Sequence, residues 1–177
     1  MRRINLFLLC VCLVIGLFSV IGHAQETYKK PPKEIQEILD APAIPSTSIS
    51  PAKDLIAVLV PLRYPPISEL AQPMLRLAGT RVNPRNNGAH REPYFIQLTL
   101  KKISDGSEMH VKLPAGAKII RPQWSPDGRY IAAGNITDNG IELWFIDTRT
   151  GAASKVQNVY LNTAFGGFDW TGPRTIL

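Results

Sequence analysis

Trp124-Ser125-Pro126-Asp127-Gly128-Arg129-Tyr130-Ile131-Ala132 is a turn that runs straight into a strand, and the rest of the 177-residue chain is read outward from it. Proline presets one backbone dihedral, Asp offers a side-chain oxygen to the turn, and Gly permits a positive φ. Tyr130-Ile131-Ala132 then opens a β-rich run. Seventy-five positions earlier, Ser50-Pro51-Ala52-Lys53-Asp54-Leu55-Ile56-Ala57 places Ser, Pro, Ile and Ala identically. Forty-six positions later, Trp170-Thr171-Gly172-Pro173-Arg174-Thr175-Ile176-Leu177 repeats the pattern with one residue fewer in the turn.

The later strands supply a second measure of the period. Tyr94 to Leu100 followed by Asp105-Gly106 parallels Ile141 to Asp147 followed by Thr150-Gly151, the closing glycines lying 45 apart. A period near 45 accounts for all three copies if the first carries about 30 extra residues between Val60 and Glu92. Units of roughly 40 to 50 residues, each with about four short strands, mark the blade of a β-propeller. The strand alternation excludes a helical solenoid. The predicted fold class is therefore all-β: a partial β-propeller of two four-stranded blades and the start of a third, preceded by a signal peptide and a short helical strap. One blade is expected at about 46–113 with an inserted loop at 61–91, a second at 119–157, and the start of a third at 165–177. Trp124 and Trp170 are expected to fill the space between neighbouring blades. Propellers use roughly four to eight blades, so two blades and a beginning are expected to leave strand edges exposed and to associate when isolated.

The amino-terminal segment has a different composition. Arg2 and Arg3 precede an apolar run from Ile4 to Ile21, and Gly22-His23-Ala24 follows with small residues. This is the layout of a secretory signal, with cleavage expected after Ala24, although a run of this length also approaches that of an uncleaved anchor. Cys10 and Cys12 lie inside the run, so a chain cleaved there keeps no cysteine, disulfide or thiolate metal site. Residues 25–45 form a Pro-rich lead-in. Pro32 to Asp40 is a short helix candidate with Ile35, Ile38 and Leu39 on one face, expected to act as a strap packed on the main body. Loss of Arg2 and Arg3 takes the formal charge from +6 to +4, and the remaining cations are scattered. Nucleic-acid binding, which needs a clustered basic face, is not expected, nor is a membrane role after cleavage.

The turn at Trp124 to Ala132 resembles the blade signature of TolB-like propellers, which gives a fold and no chemistry. Other residues are more specific: Pro31-Pro32-Lys33-Glu34-Ile35, Leu39-Asp40-Ala41-Pro42, and Leu77-Ala78-Gly79-Thr80-Arg81-Val82-Asn83-Pro84-Arg85-Asn86-Asn87-Gly88. Together these resemble the amino-terminal region of exported bacterial serine peptidases of the prolyl oligopeptidase family, near the glutamyl-specific branch. The resemblance implies a periplasmic or secreted protein acting on peptides, with a propeller over a carboxyl-terminal α/β-hydrolase domain bearing a Ser-Asp-His triad. No Gly-x-Ser-x-Gly elbow occurs in these 177 residues, so no catalytic residue is assigned and inactivity alone is expected. The rival expectation is a non-enzymatic TolB-like periplasmic propeller that binds protein partners, and a third is a short protein that completes a ring by oligomerising.

Candidate chemistry is sparse. Ser50-Pro51-Ala52-Lys53 fits Ser-x-x-Lys on paper, yet its match to the second turn makes it structural. Neither His90 nor His110 has a metal-ligand spacing, so no metal and no cofactor are expected, and His110 is expected to face outward. Asn135-Ile136-Thr137 matches a glycosylation sequon by coincidence. Arg76, Arg81, Arg85 and Arg91 crowd the inserted segment with few acids between them. Guanidinium groups bind carboxylates through two parallel bonds, so these four are the candidate substrate-binding residues, for an acidic side chain or a free carboxyl terminus. The same arginines equally suit a solvated loop paired with neighbouring carboxylates.

Overall fold

A computed structural model describes residues 29–177. The expected signal at 1–24 and the first residues of the lead-in lie outside the described residues. Two units are separable, 29–41 and Pro42–Leu177. The first holds helix α1 (Lys33–Asp40). Pro32 begins it, and its carbonyl accepts from the amides of Ile35 and Gln36 at 3.0 Å; Pro42 follows its end, as a residue that cannot extend a helix. No residue of α1 is buried.

The second unit is antiparallel β-sheet with one further helical turn. Strands β1 (Ser46–Ile49) and β2 (Leu55–Pro61) form a hairpin, and after an insertion β6 (Phe95–Lys102) and β7 (Glu108–His110) complete four strands. Strands β8 (Ile119–Trp124), β9 (Tyr130–Ile136), β10 (Ile141–Asp147) and β11 (Ala153–Leu161) repeat this meander. A hairpin of β12 (Trp170–Gly172) and β13 (Thr175–Ile176) ends the described residues. The two meanders meet at the pair Phe95↔Ile119 and a parallel bridge Lys112↔Ala152. No closed barrel occurs among the described residues.

The repeat read from the sequence is repeated in hydrogen bonds. In the first meander the Ser50 amide bonds the Leu55 carbonyl at 2.9 Å, and in the second the Ser125 amide bonds the Tyr130 carbonyl at 2.8 Å. Each serine Oγ accepts the amide five residues on, Leu55 at 3.1 Å and Tyr130 at 3.0 Å. Each hydroxyl also donates to an aspartate at 2.7 Å, Asp54 in one turn and Asp127 in the other. The left-handed position falls on Lys53 (φ 58°) and on Gly128 (φ 71°). The later turns match at the offset of 45: Gly106 (φ 72°) and Gly151 (φ 67°) donate to the carbonyls of Lys102 and Asp147.

Packing between successive meanders repeats as well. Ala57, Leu98, Leu100 and Val111 of the first meander pack with Trp124 and Ile131 of the second. Ala132, Leu143, Phe145 and Val156 of the second pack with Trp170 and Ile176 of the hairpin. These are equivalent positions in the repeat, residue for residue. Even the indole bonds correspond. Trp124 Nε1 donates to Ser48 Oγ at 3.0 Å, and Trp170 Nε1 to the carbonyl of Gln123, the counterpart of Ser48, at 3.2 Å. Burial of each large aliphatic side chain here contributes ~1.5–3 kcal/mol.

The inserted segment corrects the expectation of a loop. It contains the helical turn α2 (Ile67–Leu70) and a sheet of β3 (Leu75–Leu77), β4 (Thr80–Asn83) and β5 (Gly88–Ala89). The reason is local: Ala78 and Gly79 both take positive φ, 46° and 87°, as a two-residue hairpin turn requires. Asn83 and Asn86 then cap the next turn, accepting the amides of Arg85 and Gly88 at 3.0 Å each.

Candidate functional site

The inserted sheet lies against the second meander, with polar side chains anchoring both its ends. Asn86 Nδ2 donates to the carbonyl of Thr137 at 3.3 Å. Gly88 sits so close that a Cβ there would stand 2.6 Å from Ile141 Cδ1, which explains glycine at that position. On α2, Glu69 accepts from the Tyr94 hydroxyl at 3.0 Å and pairs with Lys118 Nζ at 3.1 Å. Burial, with the bond to Glu69 and its charge, pushes the Tyr94 phenol up to about 12. Glu92 pairs with Arg121 Nε at 2.7 Å and accepts from Thr163 Oγ1 at 2.8 Å. Arg121 reaches out because β8 is irregular there: it has φ 48°, ahead of Pro122, which has no amide for the ladder. Its guanidinium also donates to the carbonyls of Thr163, at 3.0 Å, and Gly166.

Between the inserted sheet and the second meander runs a cleft of about 360 Å³. The structure divides the four candidate arginines. Arg85 and Arg91 line the cleft. Arg76 and Arg81 do not: they face each other across the β3–β4 pair, both exposed, on the hairpin outside it. Arg91 takes φ 60° and donates through Nη2 to the carbonyl of Leu70 at 2.9 Å. His90, beside it in the lining, is held below the usual histidine range by desolvation first and then by the charges of Arg91 and Arg81.

The opposite wall comes from residues that sequence reasoning missed: Lys118, Asn135, Glu142 and Trp144. Glu142 receives Lys155 Nζ at 2.6 Å, Trp144 Nε1 at 2.9 Å and Asn135 Nδ2 at 3.4 Å, and these bonds, led by that from Lys155, lower its pKa despite desolvation. Asn135 is 6% exposed and its Oδ1 accepts the Lys118 amide. Only the partial alternation along β10 hinted at Glu142 and Trp144, and nothing in the sequence placed this wall opposite the insertion. His110 is on an exposed strand position, with Nδ1 2.9 Å from Thr99 Oγ1. Among the described residues no three His, Cys, Asp or Glu side chains are grouped to hold a metal ion, and no helix is long and apolar enough to cross a membrane.

Fold and site together define an antiparallel β protein built of tandem four-stranded units, with a decorated cleft at the junction of an insertion and the second unit. No family model matches the chain. The chain is similar to two plant proteins described as probable glutamyl endopeptidases. It is 36% identical over 171 residues to "Probable glutamyl endopeptidase, chloroplastic" of Oryza sativa subsp. japonica, a match that covers 89% of this chain and 18% of the relative. The protein of the same description from Arabidopsis thaliana is 34% identical over 163 residues, covering 85% of this chain and 17% of that one. The chain thus spans less than a fifth of the length of these relatives. A solved structure, a dipeptidyl aminopeptidase IV from Bacteroides ovatus, aligns with 69% of this chain and 18% of its own at 14% identity and a TM-score of 0.42.

Proposed function

We propose that residues 46–177 form two blades and the opening hairpin of a β-propeller, within an exported serine peptidase of the glutamyl endopeptidase kind. There the propeller controls which peptides reach a catalytic α/β-hydrolase domain. The observation that carries this reading is the similarity to two glutamyl endopeptidases along nearly the whole chain. The repeated interface supports the propeller itself. Two successive contacts built from equivalent residues imply one rotation applied twice, and head-to-tail contacts related by a constant rotation are those that can close into a ring. The signal-like segment at 1–24 supports export. No serine of the turns is offered as a nucleophile, since Ser50 and Ser125 are 2% and 0% exposed and hold backbone amides.

The test is to read the nucleotide sequence past the codon for Leu177 and to express the whole frame. The expected product contains a Gly-x-Ser-x-Gly elbow, reacts with a fluorophosphonate probe and cleaves a fluorogenic peptide after glutamate. In that product Trp124→Ala, which loosens the junction of the first two units, is expected to admit larger substrates. A complete product that neither reacts nor cleaves, yet captures protein partners, would overturn the peptidase reading in favour of a binding propeller of the TolB type.

A further inference from the structure

We infer that the cleft between the inserted sheet and the second meander is a carboxylate-binding site, with Arg85 and Arg91 as the receiving groups and Trp144 and Ile136 as the wall for the ligand's apolar part. This assignment does not rest on the peptidase reading, because it concerns binding by this chain alone.

The inference follows from the partners of each charged side chain in the lining. Three of its carboxylates are already engaged by cations: Glu69 by Lys118, Glu92 by Arg121 and Glu142 by Lys155. Each takes at least one further hydrogen bond, from Tyr94, Thr163 and Trp144 respectively. The cations so used have no charge to spare for a ligand. Asp138 is the one other acid of the lining, exposed on the turn after β9. On the opposing side, neither Arg85 nor Arg91 has a carboxylate within ion-pair distance among the described residues. Arg91 gives one of its five N–H groups to a neutral carbonyl. The cleft therefore carries two guanidinium groups against a single unpaired acid, a net positive balance inside a concave wall.

The shape and the remaining surface narrow the ligand class. A volume of about 360 Å³ falls in the range of roughly 300–1,000 Å³ typical of small-molecule sites. The guanidinium fork matches the two oxygens of a planar carboxylate. Trp144 and Ile136, both half-buried in the lining, offer apolar contact beside it. A carboxylate reaching this site could be the side chain of an acidic residue or the free carboxyl terminus of a peptide, and the two sources are separable.

The experiment is isothermal titration of the full chain with three probes: N-acetyl-glutamate amide, carrying only a side-chain carboxylate; N-acetyl-glycyl-phenylalanine, carrying only a terminal one; and inorganic phosphate. Saturable binding of at least one peptide probe is expected, and which one binds names the source. The paired variant Arg85→Gln with Arg91→Gln should weaken it by about tenfold or more, because charge-assisted bonds are lost. Arg76→Gln, outside the cleft, should change it by less than about twofold. Arg85→Lys with Arg91→Lys should fall between, since charge is kept and the fork is lost. All these positions are exposed, and unchanged far-UV circular dichroism verifies that each variant folds. Binding of neither peptide probe, binding of phosphate alone, or equal affinity after the Arg85 and Arg91 substitutions would each overturn the assignment.

Discussion

Replacing Ser125 by alanine tests the element from which the fold is read. Ser125 is 0% exposed, its Oγ accepts the Tyr130 amide at 3.0 Å, and its hydroxyl donates to Asp127 at 2.7 Å. Alanine leaves the Tyr130 amide facing a methyl group that water cannot replace without opening the turn. An orphaned buried donor costs ~1–3 kcal/mol. At about 4 °C per kcal/mol for a chain of this size, a loss of about 2 kcal/mol lowers Tm by roughly 8 °C. A second signature is pH-dependent. The Ser125 hydroxyl is the largest cause of the lowered Asp127 pKa, ahead of the Arg129 amide. A carboxyl with a depressed folded pKa adds stability that is present above its unfolded pKa and lost as pH falls through the folded one. The wild type therefore holds this contribution at pH 7 and loses it in acid, while Ser125→Ala lacks most of it throughout. The gap in Tm should narrow between pH 7 and pH 3 without closing, because the Tyr130 amide does not titrate. Thermal melts by far-UV circular dichroism at both pH values measure this. A Ser125→Ala protein that melts within about 1 °C of wild type at pH 7, or a gap that widens in acid, would refute the reasoning.

Trp124→Phe and Trp170→Phe each remove an indole donor to the preceding unit and should cost about 1 kcal/mol apiece; in urea melts Trp124→Phe and Ser48→Ala should prove less than additive, sharing one bond. Gly79→Ala meets no atom within 4 Å but holds φ at 87°, so its cost of about 1 kcal/mol should appear as faster amide exchange confined to the β3–β4 hairpin. Glu142→Gln should flatten the acid limb of the stability–pH curve, since the lowered Glu142 pKa adds stability that disappears as pH falls through it. It should also remove the alkaline counterpart, because the raised Lys155 pKa, caused first by the bond it donates to Glu142, adds stability that is lost as pH rises through it.

Much of the fold is legible because its turns are chemically specific. A serine that must accept an amide, a proline that presets φ and a glycine at positive φ leave marks on the sequence that survive changes elsewhere. Helix α1 was legible for the same kind of reason, with prolines at both boundaries and apolar residues at helical spacing. The inserted sheet was not. Its strands are two to four residues long, too short to establish a period, and its hairpin puts Ala78 where Asn or Asp would have announced the turn. Arginine density drew attention to the segment while hiding its alternation: Arg76 and Arg81 point one way, Leu75, Leu77 and Val82 the other.

The candidate site was half legible for a physical reason. A sequence displays which residues are basic, but the value of a charge in a site depends on what else is near it. Four arginines looked equivalent within sixteen positions; in space Arg76 and Arg81 spend their charge opposite each other on an exposed hairpin, and Arg85 and Arg91 enter a concavity. The decisive residues are acidic: Glu69 and Glu92 stand on the inserted side, Glu142 on the opposite wall. Glu69, Glu92 and Glu142 would neutralise the arginines were they not held by Lys118, Arg121 and Lys155. Lys118 and Arg121, at the start of the second meander, reach Glu69 and Glu92 across the junction with the insertion, whereas Lys155 holds Glu142 within the second meander itself. The positive balance of the cleft thus depends in part on how the second meander meets the insertion. A substitution that loosens the packing of the two meanders, such as Trp124→Ala, should weaken carboxylate binding at Arg85 and Arg91 without touching either.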